Sequence, residues 1–373
     1  MIYKTLCGEN ISSLGMGTMR FPRIGGRTSE VSLEKTAQMI DFAIKKGVNY
    51  FDTAWGYHNG KSESILGEIL SRYSRESFLL ASKFPGYSKE NFPKKEEIFE
   101  EQLRKCRVDY FDFYLFHNVS DSNIDFYLDS RYGLHAYLMK QKEEGKIKHL
   151  GFSSHGSYET VKRFLDAYGD TLEFCQLQIN WLDWSFQDAK SRVELLTQYG
   201  IPVWVMEPVR GGKLVNLPES AVKRMAQMAP DRSLAEWAFR YIQSLPNIGV
   251  TLSGMSNMEQ LEENIRIFED ERPLNEKEIA ILYEIADILK ECTPCTACGY
   301  CLSECPKKLD IPHLMTLYNE LVYTDGKHIP IGVGEKGASA PSECIACKSC
   351  ESVCPQEIKI SEVFKDFSER TVW

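Results

Sequence analysis

The sequence lacks the run of about 18 apolar residues that a membrane-spanning helix needs. It has no basic N-terminal stretch leading into an apolar segment, so neither a membrane span nor an export signal is expected, and the reading is cytoplasmic. It has no basic surplus: 44 lysines and arginines stand against 53 aspartates and glutamates, a net charge of −9. That balance argues against a nucleic-acid binder working by phosphate neutralisation. No G-x-G-x-x-G follows the first apolar run, which disfavours a doubly wound dinucleotide-binding sheet. Cysteine is scarce over the first 291 residues, where only Cys7, Cys106 and Cys175 occur. A uniformly stapled secreted protein is thereby excluded.

What is present begins with 43% apolar and 26% charged residues over 373 positions, enough for a large buried core plus a small appendage. Eight short apolar runs alternate with amphipathic stretches: 13–17, 48–51, 78–82, 110–116, 147–152, 174–179, 202–206 and 248–252. Segments 33–47, 220–229 and 233–243 carry apolar residues every three or four positions, the first ending on Gly47. Alternation of this kind over about 250 residues predicts a (β/α)8 TIM barrel. Segment 275–290 reads as a further amphipathic helix leading out of it. The composition changes after Cys292, with a Gly-rich patch at 331–339, so the domain boundary is placed near 290. Residues 1–290 are read as the barrel and 291–373 as a ferredoxin-like α+β iron–sulfur domain.

The other nine cysteines lie between Cys292 and Cys354, and eight of them repeat one pattern. C-x2-C-x2-C-x3-C-P occurs as Cys295, Cys298, Cys301, Cys305, Pro306 and again as Cys344, Cys347, Cys350, Cys354, Pro355. This is the spacing of two-cluster bacterial ferredoxins, in which the fourth cysteine of each run reaches the other cluster. One [4Fe–4S] cluster is assigned to Cys295, Cys298, Cys301 and Cys354, the other to Cys344, Cys347, Cys350 and Cys305. Zinc is the competing ligand for C-x2-C pairs, but it needs neither the third cysteine nor the trailing Cys-Pro. Cys292 stays outside both sets. The segment between the runs is read as an insertion with a helix-like stretch at 314–323.

Three consecutive predicted strands end in one ionisable residue each: Asp52, Lys83 and His117. Tyr57 lies five residues after Asp52, on the loop that follows. Polar residues at the carboxyl ends of barrel strands converge on one mouth. This set suits proton delivery to a carbonyl oxygen. An ammonium beside a phenol favours its ionised form, a carboxylate holds the ammonium, and an imidazole orients the carbonyl. Each residue alone has a structural explanation; their joint placement is what points to chemistry.

On these residues the chain resembles the aldo-keto reductase superfamily. FDTAWGYHNGKSESILGEIL (51–70) is similar to the family's D-T-A-x-x-Y segment and its S-E-x-x-L-G continuation. SK (82–83), VDYFDFYLFH (108–117) and KIKHLGFSSH (146–155) match further blocks in order. The resemblance covers essentially the whole barrel and implies Asp52, Tyr57, Lys83 and His117 as a catalytic tetrad with Tyr57 the general acid. It also implies hydride transfer between a nicotinamide and a carbonyl or alcohol. The barrel-plus-tail arrangement is similar to a bacterial and archaeal subgroup with C-terminal ferredoxin-type domains.

The resemblance further places Ser153 and Gln176 at the nicotinamide amide. Met206 stands where an aromatic commonly stacks, Glu207 and Arg210 lie in the EPVRGGK loop near the pyrophosphate, and Glu263 and Asn264 fall at the adenine end. Ser154 stands where the family usually has asparagine. Gly254 and Gln260 replace the family's cationic grips on a 2′-phosphate, so the reading leans toward NAD(H), or toward loose discrimination between NAD(H) and NADP(H). Trp55, Phe84, Asn118, Trp181 and Trp184 are candidates for a substrate pocket, with barrel packing as their other reading. A nicotinamide gives two electrons and each cluster takes one, so a flavin between them is an alternative, although no flavin motif is evident. Three functions follow: a carbonyl reductase coupled to electron transfer through the clusters, with an electron-transfer protein as partner; a reductase with structural or redox-sensing clusters; or a non-catalytic nicotinamide-sensing partner protein.

Overall fold

A computed structural model describes residues 1–25, 30–289, 293–323 and 340–371. Cys292 and the Gly-rich patch at 331–339 lie outside the described residues. The chain divides into two compact units, Met1–Pro208 with Ala235–Asn275, and Val209–Leu234 with Glu276–Trp373.

The first unit opens with an element that the sequence reading passed over. Strands β1 (Tyr3–Leu6) and β2 (Glu9–Ser12) pair antiparallel around a two-residue turn. Ile11, Leu6 and Cys7 of this hairpin pack onto Tyr50, Phe113, Phe174, Trp204 and Val250, residues of the barrel interior. The hairpin thus floors the barrel.

Every one of the eight apolar runs becomes a strand: β3 (Leu14–Gly17), β4 (Tyr50–Asp52), β5 (Leu79–Phe84), β6 (Phe111–Val119), β7 (Ile147–Ser154), β8 (Phe174–Gln178), β9 (Val203–Met206) and β10 (Ile248–Ser253). They pair in parallel, each with the next, and β10 pairs with β3 to close the barrel. The runs are continuously apolar because strands of such a barrel are buried on both faces. Helix Leu33–Lys45 is capped by the Ser32 hydroxyl, and the chain turns out of it at Gly47, where φ is +90°. Gly67 has another role: a Cβ there would lie 2.5 Å from backbone atoms of Lys105 and Cys106. Only glycine lets helix Ser62–Leu70 pack this closely on helix Lys95–Cys106.

In the second unit, helix Glu219–Met228 and helix Glu276–Leu289 are joined by an Arg224–Glu284 ion pair. Arg232 and Glu278 make another at 2.7 Å. Lys213 Nζ donates to the Thr293 carbonyl at 2.8 Å. These residues group with the cysteine segment in the second unit. Helices Ile311–Tyr323 and Ile360–Arg370 supply the apolar core around the cysteines: Leu314, Met315, Leu321, Phe364 and Phe367 are buried together with Cys301 and Cys350. The stretch expected to be an insertion therefore contributes a core helix. No strand occurs among the described residues of this segment. None of the described helices is long and apolar enough to cross a membrane.

Candidate active site

The parallel strands deliver their last residues to one end of the barrel. Asp52 closes β4, Lys83 is the penultimate residue of β5, and His117 lies near the end of β6. Lys83 Nζ donates to Asp52 Oδ1 at 2.5 Å and to the Thr53 carbonyl at 2.8 Å. Both side chains are almost completely buried. Burial pushes the Lys83 amine below its ordinary value, and the Asp52 carboxylate works against that push. The ammonium lies 5.2 Å from the centroid of the Tyr57 ring. The His117 ring stands edge-on to the same phenol, 6.1 Å between centroids. Sequence reasoning put these four residues at one mouth, and the fold brings them together.

His117 is buried, and its basicity falls well below the ordinary histidine value, chiefly through loss of solvent and then through the Lys83 charge. A neutral imidazole results, able to donate from one nitrogen and accept at the other. Its Nδ1 has no hydrogen-bond partner among the described residues. Tyr127 fixes its backbone, the hydroxyl donating to the His117 carbonyl at 2.6 Å. Tyr87 stands edge-on to the imidazole at 5.5 Å.

Beneath the four lies a buried polar network that the sequence reading did not assign. Ser82 and Gln102 both donate to Glu63 Oε1, at 2.7 and 2.6 Å, and Gln102 also donates to the Lys83 carbonyl at 3.0 Å. Tyr114 in turn donates to Gln102 at 2.5 Å. Burial raises the Glu63 carboxyl, and the bonds from Ser82 and Gln102 oppose it. The signal was present: Ser62 and Glu63 are the S-E of the quoted continuation. Gln102 carries no local signature, because its partners are distant in sequence.

The residues expected around a nicotinamide distribute as follows. Gln176 on β8 donates to Asp52 Oδ2 at 2.6 Å, so it joins the tetrad's carboxylate directly. Ser153 Oγ on β7 accepts the Asn118 amide at 2.8 Å. Ser154, where asparagine was the family expectation, turns to the Val119 carbonyl at 2.7 Å. Met206 ends β9 half-buried. Glu207 follows it in a left-handed conformation (φ +55°) and pairs with Arg20 at 3.5 Å. Gly254 follows β10, and a Cβ there would lie 3.1 Å from the Arg20 side chain. The aliphatic stem of Arg20 therefore lies against the position where the sequence lacks the family's cation, while its guanidinium turns to Glu207. Asn264 donates to Ser253 Oγ at 3.0 Å, and Glu263 is half-buried on helix Met258–Ile267. Arg210 is buried within the second unit, not the barrel's. Among the pocket candidates, Phe84 and Trp181 are fully buried packing residues. Trp55 lies under the Lys105 ammonium, 3.8 Å from ring centroid to nitrogen.

The cysteine repeat extends to the backbone. Ala297 and Ala346 occupy equivalent places in the two runs, and both have φ of +54°. Their amides point at cysteine sulfur, Ala297 N to Cys295 Sγ at 3.4 Å and Ala346 N to Cys344 Sγ at 3.5 Å. Lys308 and Glu357, three residues after Cys305 and Cys354, are likewise both left-handed, at +53° and +51°. A non-glycine residue in this region costs energy, and its recurrence at matched sites marks a backbone wrapped around something. Cys295, Cys298, Cys301 and Cys354 line one cavity together with Ile311, Met315 and Ile358. Cys350 and Cys344 lie near Cys305, and burial with these neighbours pushes the Cys350 thiol up to about 11. Cys347 is exposed. The cavity thus brings three cysteines of the first run together with Cys354 of the second.

Residues 13–287 match the aldo/keto reductase family, and residues 294–360 match a 4Fe-4S dicluster domain. The chain is 26% identical to the uncharacterized oxidoreductase YqkF of Bacillus subtilis over 304 residues, 73% of this chain and 92% of that protein. It is 24% identical to an NADH-specific methylglyoxal reductase of Escherichia coli over 75% of this chain and 96% of that one. The holo form of an aldo-keto reductase from Bacillus halodurans superposes with a TM-score of 0.62 at 24% identity, covering 76% of this chain and 96% of the other. A Klebsiella pneumoniae aldo-keto reductase in complex with NADPH superposes at 0.61 and 19% identity, over 77% and 96%. The eight-stranded parallel barrel, the converging strand ends and the repeated cysteine run meet in a chain that belongs to the aldo/keto reductase family, an oxidoreductase with a 4Fe-4S dicluster domain following its barrel.

Proposed function

We propose that the protein reduces the carbonyl of a small aldehyde or ketone to an alcohol, or runs the reverse, with Tyr57 as general acid. One observation carries this reading: the Lys83 ammonium is fixed between Asp52 Oδ1 at 2.5 Å and the Tyr57 ring at 5.2 Å, with His117 on the phenol's edge. A bound reduced nicotinamide supplies the hydride to the carbonyl carbon. Tyr57 Oη gives its proton to the carbonyl oxygen, Lys83 stabilises the phenolate left behind, and Asp52 anchors Lys83. Neutral His117 hydrogen-bonds the same oxygen and orients it. Ser153 and Gln176 would hold the nicotinamide amide, Met206 would lie at the ring, and Glu207, Gly254, Glu263 and Asn264 would accommodate the remainder. The expected test is Tyr57→Phe: turnover falls by roughly 10²–10⁴, while nicotinamide binding, followed by fluorescence, stays unchanged. Turnover equal to wild type would overturn the assignment.

The residues of the tail fit two cubane clusters. Cys295, Cys298, Cys301 and Cys354 would hold one, and Cys344, Cys347, Cys350 and Cys305 the other, supported by the matched left-handed alanines and the crossed fourth cysteines. Each cluster exchanges one electron, so the pair matches the two electrons of a hydride. The burial of Cys301 and Cys350 within the unit's own apolar core favours a second reading, in which the clusters act as structural staples. Anaerobic titration of the holoenzyme with NADH and with NADPH, following cluster absorbance and quantifying flavin, separates the two. Bleaching supports electron transfer, directly or through flavin, to a partner protein; full carbonyl turnover with clusters unbleached supports the structural role. Cofactor binding without turnover of any carbonyl would instead favour a nicotinamide-sensing protein. A cytoplasmic setting is proposed on the acidic balance.

A further inference from the structure

At the end of the barrel opposite the catalytic mouth, three side chains of different metal-binding types converge. The sulfur of Cys7, a ring nitrogen of His149 and a carboxylate oxygen of Glu173 all lie within 4.8 Å of one another. They come from three separate elements: the tip of the β1–β2 hairpin, the start of β7 and the residue preceding β8. All three are half-buried.

We propose that Cys7, His149 and Glu173 form a zinc site that fastens the floor hairpin to β7 and β8. The donor set is one thiolate, one imidazole and one carboxylate, which suits zinc better than hard cations. Zinc holds sulfur at about 2.3 Å and nitrogen or oxygen at about 2.0–2.2 Å. Closing the present separations onto such a centre takes small side-chain movements and leaves the backbone in place.

The surroundings orient the histidine and the glutamate. His149 Nδ1 lies 2.7 Å from Glu173 Oε2, so both atoms already face one point. Nε2 on the far side of the ring faces Glu9 Oε1 at 3.8 Å. A metal at Nδ1 places the ring proton on Nε2, where Glu9 receives it; metal-bound histidines characteristically donate their other N–H to a carboxylate. Phe113 packs against the imidazole at 5.0 Å and limits its rotation. On Glu173, Oε1 is occupied by Lys142 and by the Leu150 amide, which leaves Oε2 for a metal. Lys148, the other nearby cation, is held by Asp112 at 2.8 Å and lies 3.6 Å from Glu9. The sulfur already touches the Glu173 backbone, 3.6 Å from its carbonyl oxygen.

Cys7 itself sits where its residue type is not the structural choice. Leu6 pairs with Glu9, so Cys7 and Gly8 form a two-residue hairpin turn, with φ of +51° and +81°. Turns with two positive φ values favour asparagine, aspartate or glycine at the first position. A cysteine there is explained by what its sulfur reaches. Binding is balanced simply: the thiol loses its proton to solvent as zinc forms the Zn–S bond, and no redox step is involved.

The test uses the full holoenzyme with its iron complement intact, equilibrated with zinc and then freed of excess. Metal analysis is expected to find one zinc per chain in addition to the cluster iron. Cys7→Ser and His149→Gln are expected to lose that zinc while keeping the iron. X-ray absorption at the zinc edge is expected to show one sulfur with nitrogen and oxygen neighbours, and zinc is expected to raise the melting temperature of wild type but of neither variant. Absence of zinc in the wild type, or equal zinc in both variants, overturns the proposal. So does a four-sulfur zinc environment, which would locate the metal among the tail cysteines. Unchanged iron content and circular dichroism in the variants separate loss of the site from loss of the fold.

Discussion

The two cysteine-poor and cysteine-rich regions of this chain solve the same problem, holding polar groups inside a protein, in opposite ways. In the barrel, the buried charged groups around the catalytic mouth meet partners supplied by the fold. Lys83 meets Asp52, Asp52 meets Gln176, and Glu63 meets Ser82 and Gln102. That network is complete without any bound group. In the tail, buried thiols face each other, and burial raises Cys301, Cys350 and Cys354 away from the thiolate form. Two alanines and two longer residues are held in left-handed conformations around them. Such an arrangement is compensated only when something converts the thiols to thiolates and binds them. The barrel's polar groups are paired among themselves; the tail's thiols are arranged for an occupant.

Iron removal breaks this comparison most severely. Oxidation and chelation are expected to unfold the cysteine segment, because metal-binding energy is folding energy in such domains. Limited proteolysis should then cut within 293–371 while the strands of the barrel stay protected. The segment 209–234 belongs to the same compact unit and should become cleavable as well. Protection of the tail in iron-free protein would show that its apolar core, with Leu314, Met315, Phe364 and Phe367, suffices alone. Tyr57→Phe is the complementary change: it should abolish most turnover and leave iron content and protease resistance as they were.

Asp52→Asn probes the barrel's self-sufficiency directly. It leaves Lys83 almost wholly buried beside a neutral amide. Removing one member of a buried pair costs about 3–5 kcal/mol when the other stays charged. Anaerobic denaturant unfolding of the holoenzyme should show that loss. An unchanged unfolding free energy would mean that Lys83 sheds its proton in the variant and that the pair contributes little net stability.

The barrel was legible in the sequence because its signals are local and periodic. All eight apolar runs became strands, since a strand buried on both faces must be apolar throughout. The tetrad was legible because three of its members end consecutive strands. Hairpin β1–β2 was missed: its residues alternate weakly, and Glu9 and Asn10 mask the run. Gln102 and Tyr87 were missed because their neighbours are set by closure of the barrel, not by spacing along the chain. Arg20 shows the limit best. Position 254 reads as the loss of a cation, yet the stem of an arginine from 234 residues earlier in the chain packs against it. The meeting of Cys354 with the three cysteines of the first run was legible only because the motif repeats. That 209–234 folds with the tail was not, since nothing in its composition departs from the barrel's.

The mildest expected effect is on acid stability, and it again separates the regions. Burial lowers His58 and His155 in the barrel unit to about 4, and His117 falls further below its ordinary value. A histidine whose folded form resists protonation is taken up by protons first in the unfolded chain, near pH 6.5. Unfolding is therefore favoured progressively as pH drops below that point, until the folded form titrates as well. The slope is about 1.4 kcal/mol per pH unit for each such histidine over that interval. For His58 and His155 the window closes near pH 4, and for His117 it continues lower. In the tail, His313 is the one described histidine and is exposed. Unfolding free energy measured from pH 7.5 to 4.5 should fall in wild type and fall less steeply in His58→Gln, where Arg23 and the Thr18 carbonyl keep amide partners. An identical slope in that variant would assign the acid sensitivity to the carboxylates, whose titration the two regions share.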